Sequence, residues 1–410
     1  MNNQYERLFA ELCKRNYLSG FVFHSPKFGD TLQYEAGDVV LWVRTQILVF
    51  EILWRDSSKT NSKSTKRFIK RVGEKRKQLE NDFMIYSTQI EDIKMTNENN
   101  EIVEINNQFF HPRNFIGIII IDCDMELEPI NFLSYKQSLM SKFPIAILTK
   151  DEFLYLASEA DTIPDLTYYL KDRYGFIKTV YENDYELFLN KNRNIEKDLI
   201  ALYKMNEYQF PIGEWNSSIN KRFWETYITE FAEAIKARDK ENEESFIIDQ
   251  LIDVLRNMNH KYNSSFLHAS ELAIFPRRAR AGSLAIKTKD AFRRIKKKCT
   301  PRFYAIFNET TGCWLLFYFE HSGTREEFYS NVTKYSRLKL FYEMNHNNFR
   351  YSVFGYGFRK STIETGDDFD DIFLCIEDAV NYNELAIKDL KEANQYFGHI
   401  QAKEIKEYPK

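Results

Sequence analysis

The sequence predicts an α/β protein. Its N-terminal part runs helix, three strands, helix, strand, followed by a helical middle stretch and a smaller C-terminal α/β unit. Three stretches carry that prediction. Residues 37–55, GDVVLWVRTQILVFEILWR, read as two strands joined by a tight turn near Arg44-Thr45-Gln46. Phe115–Ile121 is almost wholly apolar, as a central strand covered on both faces should be. Between them, apolar residues at 68, 69, 72, 79, 83 and 86 repeat with helical spacing.

The other elements follow in order. Apolar residues at 5, 8, 9, 12 and 13 mark a first helix over Asn3–Leu18, ended by Ser19-Gly20. Phe21–His24 is a short strand, and Asn97–Asn107 a polar loop or short hairpin. Lys142–Thr149 adds a strand to the same sheet, and Pro164 sits in the first turn of a helix entered at Asp161. Glu182–Asn259 is mainly helical, with Lys236–Glu244 as a connection or exposed turn. Further on, Phe303–Phe307 and Cys313–Phe319 pair, a helix spans Thr324–Met344, a strand spans Tyr351–Phe358, and Asn381–Tyr396 closes the chain as a helix. This divides the 410 residues into 1–150, an α/β domain, 151–260, a helical connecting region, and 261–410, a C-terminal recognition or oligomerisation domain. Two strands, a helix and a strand in the last part echo the N-terminal order, without a residue-level repeat.

A hydrophobic content of 43% with 16% aromatics supports packed cores rather than disorder. The five cysteines are far apart, odd in number and without zinc spacing, which points to free thiols in a reducing compartment. With no signal-peptide pattern in MNNQYERLFAEL and no apolar run long enough to span a bilayer, a soluble cytoplasmic protein with no membrane partner is expected. No P-loop, dinucleotide fingerprint or Gly-x-Ser-x-Gly elbow occurs. The net charge of -3 conceals local basic runs: 63–77 holds eight Lys/Arg against one acid, and 277–302 eleven against one. Two such surfaces on a mildly acidic chain fit a polyanionic partner touched at particular places.

Side chains alternate along a strand, so Glu51 shares a face with Ile47, Val49 and Leu53. A carboxylate there costs stability unless a cation or hydrogen bond compensates it. Asp38 opens the neighbouring strand, where it can face Glu51 across the hairpin. Singly, Asp38 reads as a turn-capping acid and Glu51 as the partner of a helix lysine. Together, two acids at a strand pair suit Mg²⁺.

Gly37-Asp38, Glu51 in ILVFEIL and the helix, three strands, helix, strand order resemble the PD-(D/E)XK nuclease superfamily, over roughly residues 1–125. The resemblance implies a restriction-endonuclease-like αβββαβ core and Mg²⁺ (or Mn²⁺) held by Asp38, Glu51 and the Ile52 carbonyl. It also implies phosphodiester hydrolysis in DNA and, by analogy, a role in restriction or anti-phage defence. Glu11, or Glu6 beside it, would be the extra acid that some relatives use. The chain departs from the pattern at Leu53, where the family's catalytic lysine should stand, and Arg55 is too basic to serve as a base. Lys66 or Lys70, on the following helix, then becomes the candidate catalytic cation. The other reading of Leu53 is a catalytically silent nuclease-fold protein, a nucleic-acid-binding or scaffold subunit.

That helix carries Lys66, Arg67, Lys70, Arg71, Lys75, Arg76 and Lys77, and repeats at three and four residues gather several of them, Lys66, Arg67, Lys70 and Arg71 first, on one side, where they would meet a phosphate backbone or simply be solvated. Arg277, Arg278, Arg280, Arg293 and Arg294 lie in a second basic segment. With Gly282 and Ser283 it reads as a loop draped along nucleic acid, DNA before RNA, or along another protein's acidic face. A homodimer is attractive because cutting both strands of a duplex needs two sites. A partner protein subunit is the alternative.

Overall fold

The computed structural model describes residues 2–28, 34–54, 62–89, 93–96, 102–103, 114–122, 141, 143–183, 195–206, 208–211, 223–258, 263–296, 302–321, 323–347, 352–360, 371–382 and 387–398. The protein is mixed α/β and divides into two compact units, Met1–Lys240 and Glu241–Lys410. The first unit takes in residues 151–240, most of the middle stretch.

The N-terminal unit starts with α1 (Asn2–Asn16) and β1 (Val22–His24). A small pair, β2 (Lys27–Phe28) and β3 (Tyr34–Glu35), leads to the hairpin β4 (Val39–Val43) and β5 (Gln46–Trp54). Then come α2 (Ser62–Thr88), a short antiparallel pair β6 (Met95–Thr96) and β7 (Ile102–Val103), β8 (Asn114–Asp122) and β9 (Ile145–Thr149). The sheet order is β1-β4-β5-β8-β9, antiparallel across β1/β4 and β4/β5 and parallel across β5/β8 and β8/β9. A parallel step between β5 and β8 requires a crossover, which α2 supplies. The hairpin turn closes at Val43 and Gln46, where Arg44 adopts the left-handed conformation and its carbonyl accepts from Trp42 Nε1 at 2.8 Å.

Both faces of the sheet are covered, which is why β4 and β5 are buried almost throughout. Phe50 meets Phe9 of α1 and Phe153 of α3 (Lys150–Glu159) on one face. On the other, Trp42 meets Tyr86 of α2 edge-on. α3 is capped by Thr149, whose hydroxyl accepts from the Glu152 amide while Glu152 accepts from the Thr149 amide. The helices α4 (Ile163–Asn183), α5 (Ile195–Met205) and α6 (Phe223–Glu230) follow, with a buried Arg173–Glu196 ion pair between α4 and α5.

Residues 236–244 are neither a connection nor a turn. They lie inside α7 (Ala232–Asn257), a charged helical stretch. In the C-terminal unit, α8 (Asn263–Ala273) and α9 (Ala285–Lys296) precede β10 (Arg302–Asn308), β11 (Cys313–Glu320), α10 (Arg325–Asn347), β12 (Ser352–Arg359), β13 (Asp371–Asp378) and α11 (Ile387–Phe397). The sheet runs β10-β11-β12-β13, antiparallel, parallel, antiparallel. Strand β13 is an addition to the sequence reading. No helix among the described residues is long and apolar enough to cross a membrane.

Candidate functional site

Gly37 sets the geometry. Its φ of +102° and the 2.5 Å that a Cβ would leave to Val49 Cγ1 exclude other residues from the step into β4. Asp38 follows. Its amide donates to the Phe50 carbonyl at 2.9 Å and its Oδ2 accepts the Ile52 amide at 2.6 Å, so the side chain extends the ladder one step past β4. In an extended strand the amide and carbonyl of one residue point to the same edge, which puts the Ile52 carbonyl on Asp38's side too.

Glu51 stands on the α2 face with no exposed surface, and Asp38 retains 5%. The cation that reaches them is Lys75. Its Nζ lies 3.2 Å from Asp38 Oδ2 and forms a second ion pair with Glu51 Oε2. Two acids from adjacent strands thus converge on one ammonium from the crossover helix.

The helix itself explains this choice. Phe68, Val72, Lys75, Leu79, Asp82 and Tyr86 recur at steps of four and three, one stripe facing the sheet. Lys75 and Asp82 are the two charged members of that stripe, a signal readable in the sequence. Lys70 is on the opposite side, exposed and 3.6 Å from Glu74. It is corrected as the candidate cation because five residues rotate it away from the acids. The side chain of Lys66 lies outside the described residues.

Burial, then Asp38, pushes the Glu51 carboxyl well above the usual range. Burial pulls Lys75 down, but Glu51 and Asp38 outweigh it and hold the ammonium charged. Asp82, buried against Glu51, is pushed up to about 7 chiefly by burial. Glu6 on α1 is raised by burial, then by Asp38 and Glu35, and so is the first-helix acid that senses the site. Glu11 is exposed and pairs with Lys14 at 3.0 Å, which corrects it as the extra acid.

The basic segment 277–302 is a correction as well. Over its described residues 277–296 it is not a loop: a helical turn at Arg277–Ala279 and a π-helical stretch at Arg280–Leu284 run into α9. Arg277 and Arg280 are buried and turn inward. Arg280 donates to Asp249 Oδ1 (2.7 Å) and to the carbonyls of Phe275 (2.8 Å) and Ala273 (2.6 Å). Arg277 binds Asp249 and Ser245. Both tie α7 to the turn after α8, which leaves neither guanidinium for a phosphate. Arg293 is exposed and pairs with Asp290 at 2.6 Å. The side chains of Arg278 and Arg294 lie outside the described residues. Arg67 and Arg71 are exposed on α2, and Arg71 reaches the Trp54 carbonyl at 3.5 Å.

Two carboxylates that already share a cation, a strand carbonyl at the same edge, and Glu51 Oε1 with no hydrogen-bond donor fit a hard, oxygen-seeking ion that keeps part of its water. Among the described residues, no three His, Cys, Asp or Glu side chains are already arranged as a ligand set. Comparison with family models, with curated proteins and with solved structures gives no match.

Proposed function

We propose that the N-terminal unit is a divalent-cation-dependent nuclease of the PD-(D/E)XK kind, hydrolysing phosphodiester bonds in DNA. The observation that carries this reading is the position of Lys75 Nζ, in contact with both Asp38 and Glu51. Leu53 removes the strand lysine that such chemistry needs. A helix lysine touching the same two acids supplies a cation beside them instead.

Asp38, Glu51 and the Ile52 carbonyl would hold Mg²⁺ or Mn²⁺. That ion supplies a water of lowered pKa and neutralises charge on the scissile phosphate. Lys75 then orients the attacking water and stabilises the charge that develops on the phosphate. With its proton held so firmly it acts as an ammonium rather than as a base. Arg67, Lys70 and Arg71 give the phosphate backbone a basic helix face, which adds affinity without reading sequence.

A second reading, a silent nuclease-fold subunit that binds nucleic acid, is favoured by the full burial of Glu51 under Lys75. Plasmid DNA incubated with the protein and Mg²⁺ or Mn²⁺ separates the two. The nuclease reading expects cleavage by the wild type and none by Asp38→Ala, Glu51→Ala or Lys75→Ala. Binding without cleavage by every form supports the silent reading. A parallel arm on RNA settles the substrate.

A further inference from the structure

The chain reaches Asp38 and leaves Glu51 past pairs of aromatic rings. Tyr34 of β3 meets Phe28 of β2 at 5.4 Å between centroids, and 62% of Tyr34 is exposed. Among the described residues no aromatic side chain is more exposed. Four residues separate Tyr34 from Asp38, so the ring's backbone lies at most about 14 Å from the acid's. Three residues beyond Glu51, about 10 Å along β5, Trp54 stacks on Tyr5 of α1 at 4.7 Å, both half-buried. The rung next to Tyr34 is charged. Lys27 lies opposite Glu35 on one side and opposite Lys94 on the other, where the two backbones exchange hydrogen bonds of 3.1 and 2.7 Å. Both lysines are exposed. Like charges directly opposite weaken a strand pair unless something negative lies over them, and Glu35 offsets only one of the two.

We infer that the DNA strand taken by this unit is unpaired, with one base stacked on Tyr34 and its phosphates over Lys27 and Lys94. This deepens the proposed function and rests on its nucleic-acid substrate, though not on cleavage. Rings for bases beside cations for phosphates are the combination that holds single strands. In a duplex each base is covered by its neighbours, so an exposed ring finds no π face to take. An unpaired base offers one whatever its identity, which gives affinity without reading sequence. Stacking of this kind changes affinity by roughly 5- to 140-fold per base. Tyr34 selects the form of the substrate and takes no part in bond breaking. The Tyr5–Trp54 stack provides a second aromatic step beyond Glu51.

The test is fluorescence anisotropy of the full chain with a labelled oligothymidylate and with the duplex it forms with oligoadenylate, both in EDTA so that no strand is cut. Wild type is expected to bind the single strand about tenfold more tightly than the duplex, or better. Tyr34→Ala should weaken single-strand binding by about fivefold or more and leave duplex binding nearly unchanged. Tyr34→Phe, which keeps the ring, should match wild type. Lys27→Ala and Lys94→Ala should each take about 0.7 from the logarithmic salt slope of single-strand binding. Equal affinity for the two DNAs overturns the inference, and so does an unchanged single-strand affinity in Tyr34→Ala. Equal loss in Tyr34→Phe also overturns it, by assigning the effect to the hydroxyl group. Adding Mg²⁺ or Mn²⁺ separates this inference from the nuclease reading. Tyr34-dependent single-strand binding without cleavage keeps the first and removes the second, whereas duplex cleavage with no single-strand preference does the reverse.

Discussion

The two units repeat one connectivity and fill its centre with opposite chemistry. In each, an antiparallel hairpin is followed by a crossover helix and a strand that pairs parallel to the second hairpin strand: β4-β5-α2-β8 and β10-β11-α10-β12. The hairpins close at Val43/Gln46 and Asn308/Cys313. Five pairs from each closing pair stand Asp38 and Glu51 in one unit and Phe303 and Tyr318 in the other. The crossover helix adds Lys75 in the first. In the second it adds Tyr335, whose ring stacks on Phe303 at 4.9 Å and on Tyr318 at 5.3 Å. Three rings therefore occupy the place of three charges. Stacked aromatic pairs contribute about 0.5–1.5 kcal/mol each beyond their burial, whereas buried ion pairs often cost more in desolvation than they return. The fold does not need the charged trio, and its presence in one unit speaks for function.

The largest expected effect tests that contrast. Lys75→Met leaves buried carboxylates without their cation and should destabilise the N-terminal unit by about 3–5 kcal/mol in urea unfolding. The triple variant Asp38→Leu, Glu51→Leu, Lys75→Met imitates the C-terminal solution and should recover that loss, matching or exceeding wild type by up to about 4 kcal/mol. A triple variant less stable than Lys75→Met would make the trio structural and break the comparison.

Next come the glycines that let each crossover helix approach its parallel strand. A Cβ at Gly357 would lie 2.4 Å from Val332 Cγ2 and 2.9 Å from Phe328. At Gly117 it would lie 2.9 Å from the flexible end of Leu79. Gly357→Ala should therefore cost about 3 kcal/mol and Gly117→Ala about 1 kcal/mol, within the usual span for overpacking. Equal losses would mean that the two helix–strand contacts are equally rigid.

A third difference is in pH. Asp82 is raised to about 7 and Glu51 is raised as well, so the folded N-terminal unit keeps protons that the unfolded chain releases above about pH 4. The unfolded state then binds fewer protons than the native one, and stability falls as pH rises from about 4 to 7. For one retained proton the slope is at most about 1.4 kcal/mol per pH unit. Urea midpoints taken across that window should fall in wild type and fall less steeply in Asp82→Asn, where burial still raises Glu51. The Phe303, Tyr318, Tyr335 centre does not titrate in that range.

Where the sequence sufficed, the reason was unambiguous periodicity. The β4–β5 hairpin, the apolar β8 and the long α2 stripe were readable, and so was the acid pair, because Glu51 interrupts an otherwise apolar strand. Where it falls short, charge does not report exposure. Lys75 and Asp82 sit on the buried stripe with Val72 and Leu79, yet the density of basic residues around them points to Lys66 and Lys70, of which Lys70 is exposed. Arg277 and Arg280 belong to the same error: a basic run beside Gly282 suggested a loop, while Asp249, some thirty residues earlier, neutralises both from a helix that the sequence does not show to be adjacent. Strand β13 escaped because acids flank its apolar centre, DIFLCIED, at both ends.

The smallest effect on stability belongs to the exposed side of α2, and it sharpens the comparison by asking what surrounds the charged trio. Arg67, Lys70 and Arg71 face solvent, and the Lys70–Glu74 pair, 3.6 Å apart at adjacent helix turns, is worth about 0.3–0.5 kcal/mol at best. Replacing all three by Ala should leave the unfolding midpoint almost unmoved, each within about 0.5 kcal/mol. If the proposed DNA phosphate contacts are theirs, binding measured against salt should lose about 0.9 from the logarithmic slope for each contact removed. The acid pair and Lys75 would keep their geometry, since none of the three touches them. Loss of affinity with an unchanged salt slope would place the DNA backbone elsewhere on the unit and leave this helix face merely solvated.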